Sequence, residues 1–191
     1  MAVLEEHYKI SRDWKGKTYL GMDLGWYYKN STVHLSMLWY VAESLTRFRY
    51  KHPRKPQDQP YLQIKLNYGA KDHYDEAIDN SSPLTKEHKK IVQEVTGNLL
   101  YYSRAVYPTI INVLGSITSQ QANPTEKIMQ KSKQLLDYVA SHPDAVLTYK
   151  PSEIILAGHI GSSYLSETKA RSRAGEIFYM SLSLCPVTVP R

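Results

Sequence analysis

The run Arg47-Phe48-Arg49-Tyr50-Lys51-His52-Pro53-Arg54-Lys55 interleaves aromatic rings with cations. This composition grips a phosphate backbone and stacks on exposed bases, because each cation displaces a counterion and each ring offers a π-face to any base. Its bland counterpart is a solvated helix end running into a linker. Lys169, Arg171 and Arg173 form a second, smaller cluster, which by composition alone is an ordinary charged loop.

Other residues with reactive side chains stand apart. His159 follows the apolar run Ile154-Ile155-Leu156-Ala157, which reads as a buried strand that delivers Ile160-Gly161-Ser162-Ser163 to its tip. With no carboxylate or histidine close in sequence, His159 is expected to be a hydrogen-bonded structural residue. Asp72-His73-Tyr74-Asp75-Glu76, with Asp79, imitates a metal cluster but lacks a recognised ligand spacing and reads as a solvated loop. Cys185 is the only cysteine, which excludes an internal disulfide and a multi-cysteine zinc site. It reads as a plain thiol in a reducing, intracellular setting, cytoplasmic or nuclear.

A net charge of +6, from 24 Lys+Arg against 18 Asp+Glu, favours a polyanionic partner such as nucleic acid. With 191 residues, 42% of them hydrophobic, the chain has room for one sizeable domain or two small ones. Met1-Ala2-Val3-Leu4-Glu5-Glu6 is not a basic region leading into an apolar stretch, and no run approaches the roughly 20 apolar residues of a bilayer span. No membrane partner is expected.

These candidates must be positioned by an α+β arrangement. Thr18 to Tyr28 and Thr32 to Met37 are β-rich runs across the polar turn Lys29-Asn30-Ser31, a predicted hairpin. Ser36 is expected to cap a helix from Met37 to about Arg49, with Leu38, Val41, Leu45 and Phe48 at helical spacing. Residues 50 to 83 hold Pro53, Pro56, Pro60 and Pro83, and read as an irregular linker. From Thr85, the residues Ile91, Val92, Val95, Leu99, Tyr102 and Val106 form a helical stripe, and a short helix begins near Pro108. Asn123-Pro124-Thr125-Glu126 predicts a capped helix start, followed by Ile128, Ser132, Leu135, Leu136 and Val139 on one face. Strands are predicted at Val146 to Tyr149, Glu153 to His159 and Glu176 to Leu184. The 16 tyrosines fall mostly on apolar faces, as core and rim.

The order of these pieces resembles the polyprotein of copia-type long-terminal-repeat retrotransposons, from the end of the reverse transcriptase into its ribonuclease H domain. Tyr19-Leu20-Gly21-Met22 is similar to the family's Phe-Leu-Gly-Ile strand. Val33-His34-Leu35-Ser36-Met37, Tyr40-Val41 and Leu45-Thr46-Arg47-Phe48 resemble its Leu-Ser-Gln, Tyr-Ile and Leu-x-x-Phe segments. Gly97-Asn98-Leu99-Leu100-Tyr101-Tyr102 with Pro108 is similar to Gly-x-Leu-x-Tyr-Leu and Arg-Pro-Asp. Asn123-Pro124-Thr125 with Leu135-Leu136-Asp137-Tyr138, and Arg171-Ser172-Arg173-Ala174-Gly175 with Phe178, complete a likeness that runs from about residue 8 to 182.

The resemblance implies a layout. Residues 1–49 would end the polymerase palm and open the thumb, and 50–84 would be a linker. Residues 85–150 would form the helical thumb and connection, and 151–191 a truncated ribonuclease H-like segment with a divergent tail. The family's first nuclease aspartate falls at Gly161, with Ser162 and Ser163 beside it, and these are poor ligands for the magnesium the family uses. No Asp-Asp pair of the polymerase centre occurs anywhere in the sequence. The chain itself is therefore expected to use no cofactor and to lack both catalytic centres. It would be a chemically silent fragment, a residual RNA/DNA-binding module, or a subunit completed by another chain. The nucleic-acid-binding candidates are Arg47, Arg49, Lys51, Arg54, Lys55, Lys169, Arg171 and Arg173. The strand from Glu176 would expose an open edge and invite self-association.

Overall fold

The computed structural model describes residues 6–9, 13–62, 79–167 and 171–182, with backbone alone at 163–167 and 171. Strands β1 (Thr18–Tyr19), β2 (Met22–Tyr27) and β3 (Thr32–Ser36) lead into helix α1 (Leu38–Arg47). Helices α2 (Lys86–Ala105), α3 (Ile111–Thr118) and α4 (Glu126–Ser141) precede strands β4 (Val146–Tyr149), β5 (Ile155–Glu167) and β6 (Arg171–Ser181). The fold is α+β, with two antiparallel sheets ordered β1-β2-β3-β4 and β5-β6.

The first β-rich run is two strands rather than one. Leu20 and Gly21 both adopt positive φ, at 49° and 78°, and this tight turn folds β1 back onto β2. Positive φ at both central positions matches the right-handed twist of the strands it joins. The predicted β2–β3 hairpin is present, with Leu24 opposite Leu35 and a 3-10 turn at Tyr28–Asn30. β4 returns from the far end of the helical segment to pair with β3, placing Leu147 opposite Leu35.

Helices supply the core. Val41 and Leu45 of α1, Val92, Val95, Leu99 and Tyr102 of α2, Val113 and Ile117 of α3, and Ile128, Leu135 and Val139 of α4 belong to one buried cluster. Ile91, expected on that stripe, is 44% exposed, because it lies one step around the helix from Val92 and Val95. Aromatic rings thread the cluster: Tyr40 stacks on Tyr102 at 5.7 Å, Tyr102 meets Tyr107 edge-on, and Tyr107 stacks on Tyr138 at 6.0 Å. The Tyr107 and Tyr138 hydroxyls share a hydrogen bond of 2.7 Å, so both polar ends are satisfied inside the helical layer.

Two helix starts differ from the sequence expectation. Ser36 is the last residue of β3, and the N-cap of α1 is Met37, with no side-chain cap. At α4 the N-cap is Thr125 rather than Asn123. Its first amides are satisfied by a distant segment: the Glu126 amide donates to Ser82 O at 3.0 Å and the Lys127 amide to Ser81 Oγ at 3.2 Å. Asp79 accepts from Ser81 and from Thr125, fastening this cap in place. Tertiary contacts thus supply what the local motif was expected to provide. Thr85 caps α2, its Oγ1 accepting from the His88 amide at 3.3 Å.

β5 and β6 form a long two-stranded ribbon. Leu156, Ile160, Phe178 and Met180 on one of its faces are 54 to 77% exposed, so the apolar run from Ile154 is not a buried strand. β5 also runs on to Glu167, which puts Gly161 in mid-strand opposite Gly175 rather than at a tip.

Candidate nucleic-acid interface

The basic run begins where α1 ends, and the ending shapes it. The Arg49 amide donates to Thr46 O at 3.0 Å and the Tyr50 amide to Leu45 O at 2.9 Å. Arg49 adopts the left-handed conformation, φ 50°, that a helix terminus of this hydrogen-bond pattern requires and that usually selects glycine. The reversal turns alternate residues in opposite directions. Phe48 and Tyr50 are half-buried and pack against the core, while Arg47, Arg49 and Lys51 are exposed.

The chain then lies along α4. Tyr50 Oη donates to Asp137 Oδ1 at 3.0 Å, the Gln57 amide donates to Ser141 Oγ at 2.9 Å, and Gln134 Nε2 donates to Gln59 O at 2.7 Å. Burial and the Asp137 carboxylate push the Tyr50 phenol well above its ordinary value, so it remains a neutral donor. Between these anchors Arg54 and Lys55 are exposed. Five cations therefore project from a strap tied down on both sides. The aromatic members of the run are committed to the core, so the expectation that they stack on bases is corrected: this surface can neutralise phosphates, without rings to offer.

The second cluster is not a free patch. Arg173 Nη1 donates to Asn112 O at 3.1 Å, which joins β6 to the start of α3. Arg171 is placed in β6 by its backbone, and Lys169 lies outside the described residues. The acidic stretch 72–76 and Cys185 also lie outside them. His159 stacks on Tyr179, whose hydroxyl lies 3.0 Å from His159 Nε2, the structural pairing expected of it.

Gly161 is exposed, and a Cβ built there would meet nothing within 4 Å. Among the described residues no three His, Cys, Asp or Glu side chains gather where they could hold a metal ion. Gly161 itself has no side chain to offer the magnesium pair that the family uses. Among the described residues no helix is long and apolar enough to cross a membrane.

Three of the resembling motifs meet in space. The Tyr101 hydroxyl donates to Leu20 O, and Tyr40 Oη donates to Asn98 O at 3.0 Å. Ser44 Oγ donates to Tyr40 O at 2.6 Å and lies 2.7 Å from Asn98 Oδ1. Sequence reasoning passed over a separate set of exposed rings and lysines, at Trp14-Lys15-Gly16-Lys17 and Trp26-Tyr27-Tyr28-Lys29. The signal was the same interleaving of aromatic and base that singled out residues 47–55.

No protein-family model, curated protein or solved structure matches the chain.

Proposed function

We propose that this chain is part of a copia-type retrotransposon polyprotein, the end of a reverse transcriptase joined to a ribonuclease H-like segment. In this reading it is catalytically silent and retains binding to RNA–DNA duplex through Arg47, Arg49, Lys51, Arg54 and Lys55. Lys169, Arg171 and Arg173 are secondary candidates. The observation that carries the reading is the strap after α1, whose cations all face solvent while its rings face the core. Such a surface suits a helix backbone, where charge is regular and bases are already stacked. Silence rests on Gly161, which places bare backbone where the family's strand carries its first metal-binding carboxylate.

One observation favours a second reading, in which another polypeptide completes the assembly. Among the described residues β5 and β6 form a two-stranded sheet with apolar side chains in the open, and two strands alone are marginally stable in water. β5 carries neither charge nor proline from Ile155 to Ser166, so nothing opposes pairing there with a second copy or a further strand.

The test is a magnesium-dependent cleavage assay on an RNA–DNA hybrid, run beside a Gly161→Asp variant. The open space at Gly161 accepts the new carboxylate, and a single acid without partners leaves the hybrid intact. Cleavage by the parent chain would overturn the silent reading.

A further inference from the structure

The rings that the strap turns inward have counterparts that face solvent. Trp14 and Tyr28 are each 82% exposed, and Trp26 is 45% exposed. Trp26 and Tyr28 stand two residues apart, their planes 11° from parallel and their centroids 6.3 Å apart. Trp26 is fixed, not merely exposed. Its Nε1 donates to Gly16 O at 2.7 Å, and Gly16 has φ +56°, bringing backbone so close that an added Cβ would lie 3.5 Å from the indole nitrogen.

The loop that carries Gly16 is itself held. Asp13 accepts from the backbone amides of Lys15, Lys17 and Thr18 at 3.1, 2.6 and 2.9 Å. The Thr18 amide foremost, with those of Lys17 and Lys15, draws the Asp13 carboxyl below its usual range. With that acid directed at backbone, the exposed Lys15 and Lys17 side chains flank the Trp26 contact, and Lys29 follows Tyr28 on the other side. Asp23, the acid within β2, is out of phase with Trp26 and projects from the opposite face of the strand.

We propose that Trp14, Trp26 and Tyr28, with Lys15, Lys17 and Lys29, form a binding site for single-stranded nucleic acid. Flat rings stack on unpaired bases whatever the sequence, and lysines beside them hold the connecting phosphates. A duplex, whose bases are already stacked, has no use for the rings. The site shares no residue with the strap at 47–55, so either one can fail alone.

The experiment titrates the full chain with oligothymidylate, with an RNA–DNA hybrid of equal length, and with heparin, a polyanion that has no bases. Tryptophan fluorescence is the readout, since all three tryptophans of the chain are exposed. Oligothymidylate is expected to quench saturably and heparin is not. Trp14→Ala and Tyr28→Ala should each weaken oligothymidylate binding by about 5- to 150-fold, the range for losing one stacked base. Both side chains are exposed, and circular dichroism checks that the variants fold. Replacing the five strap cations with alanine lowers the net charge and so weakens binding of any polyanion, but in that background Trp14→Ala and Tyr28→Ala should each cause the same further loss of about 5- to 150-fold. Absence of quenching by oligothymidylate, equal quenching by heparin, or ring variants that bind within about two-fold of the parent would overturn the site. Loss of hybrid binding in the strap variant alone would leave it standing.

Discussion

Tyr50 Oη donates to Asp137 Oδ1 at 3.0 Å, joining a ring inside the basic run to the last turns of α4. That bond fastens the run in the direction the helix ending gives it: Tyr50 is anchored inward, and Arg49 and Lys51 on either side of it are exposed. Tyr50→Phe keeps the packing and removes the donor, leaving a half-buried carboxylate short of a partner. It should lower stability by about 1 kcal/mol, read as a shift in the urea midpoint with an unchanged slope.

Arg49 occupies a left-handed position, φ 50°, where a side chain costs about 1–2 kcal/mol relative to glycine. Arg49→Gly removes that strain and also removes a cation, at some cost in unfolded-chain entropy. The variant is expected to melt no lower than the parent while binding hybrid more weakly. A variant that melts lower would contradict the strain assignment.

Burial raises the Tyr102 phenol from 10.0 to about 12. Because the folded-state value lies above the unfolded one, the associated stability is fully present below pH 10 and is lost as pH rises towards about 12. Tyr107 and Tyr50 are raised in the same direction by burial, with the Tyr138 hydroxyl and the Asp137 carboxylate adding to it respectively, so both contribute to the effect. Urea midpoints measured across this range should fall steeply in the parent and less steeply in Tyr102→Phe.

Amide hydrogen exchange should divide the molecule. The central amides of α2 and α4 are surrounded by the buried cluster and should exchange only on global unfolding, whereas those of the β5–β6 ribbon should exchange far faster. Protection that appears in the ribbon as concentration rises would report self-association through it.

The helical layer was legible because periodicity records burial directly. Val92, Val95, Leu99 and Tyr102, and likewise Ile128, Ser132, Leu135 and Leu136, point where their spacing says they must. The cap of α4 was not legible, because Ser81 and Ser82 reach it from more than 40 positions away in the chain, and no local pattern encodes that. The turn at Leu20-Gly21 was hidden in a run of strand-forming residues, since a leucine at positive φ carries no compositional mark. The site was half legible. Charge placed the cations of residues 47–55 correctly on the surface, but composition could not reveal that the helix ending sends Phe48 and Tyr50 inward.

The central claim is that the strap after α1 binds duplex through its charges. Its most direct test is the affinity for an RNA–DNA hybrid across a salt series, for the parent and for a variant with alanine at Arg47, Arg49, Lys51, Arg54 and Lys55. The log of affinity should fall linearly with the log of salt, by about 0.9 for each neutralised phosphate, and the variant should lose most of that slope along with its affinity. A parent that does not bind hybrid, or a variant whose slope matches the parent's, would contradict the claim.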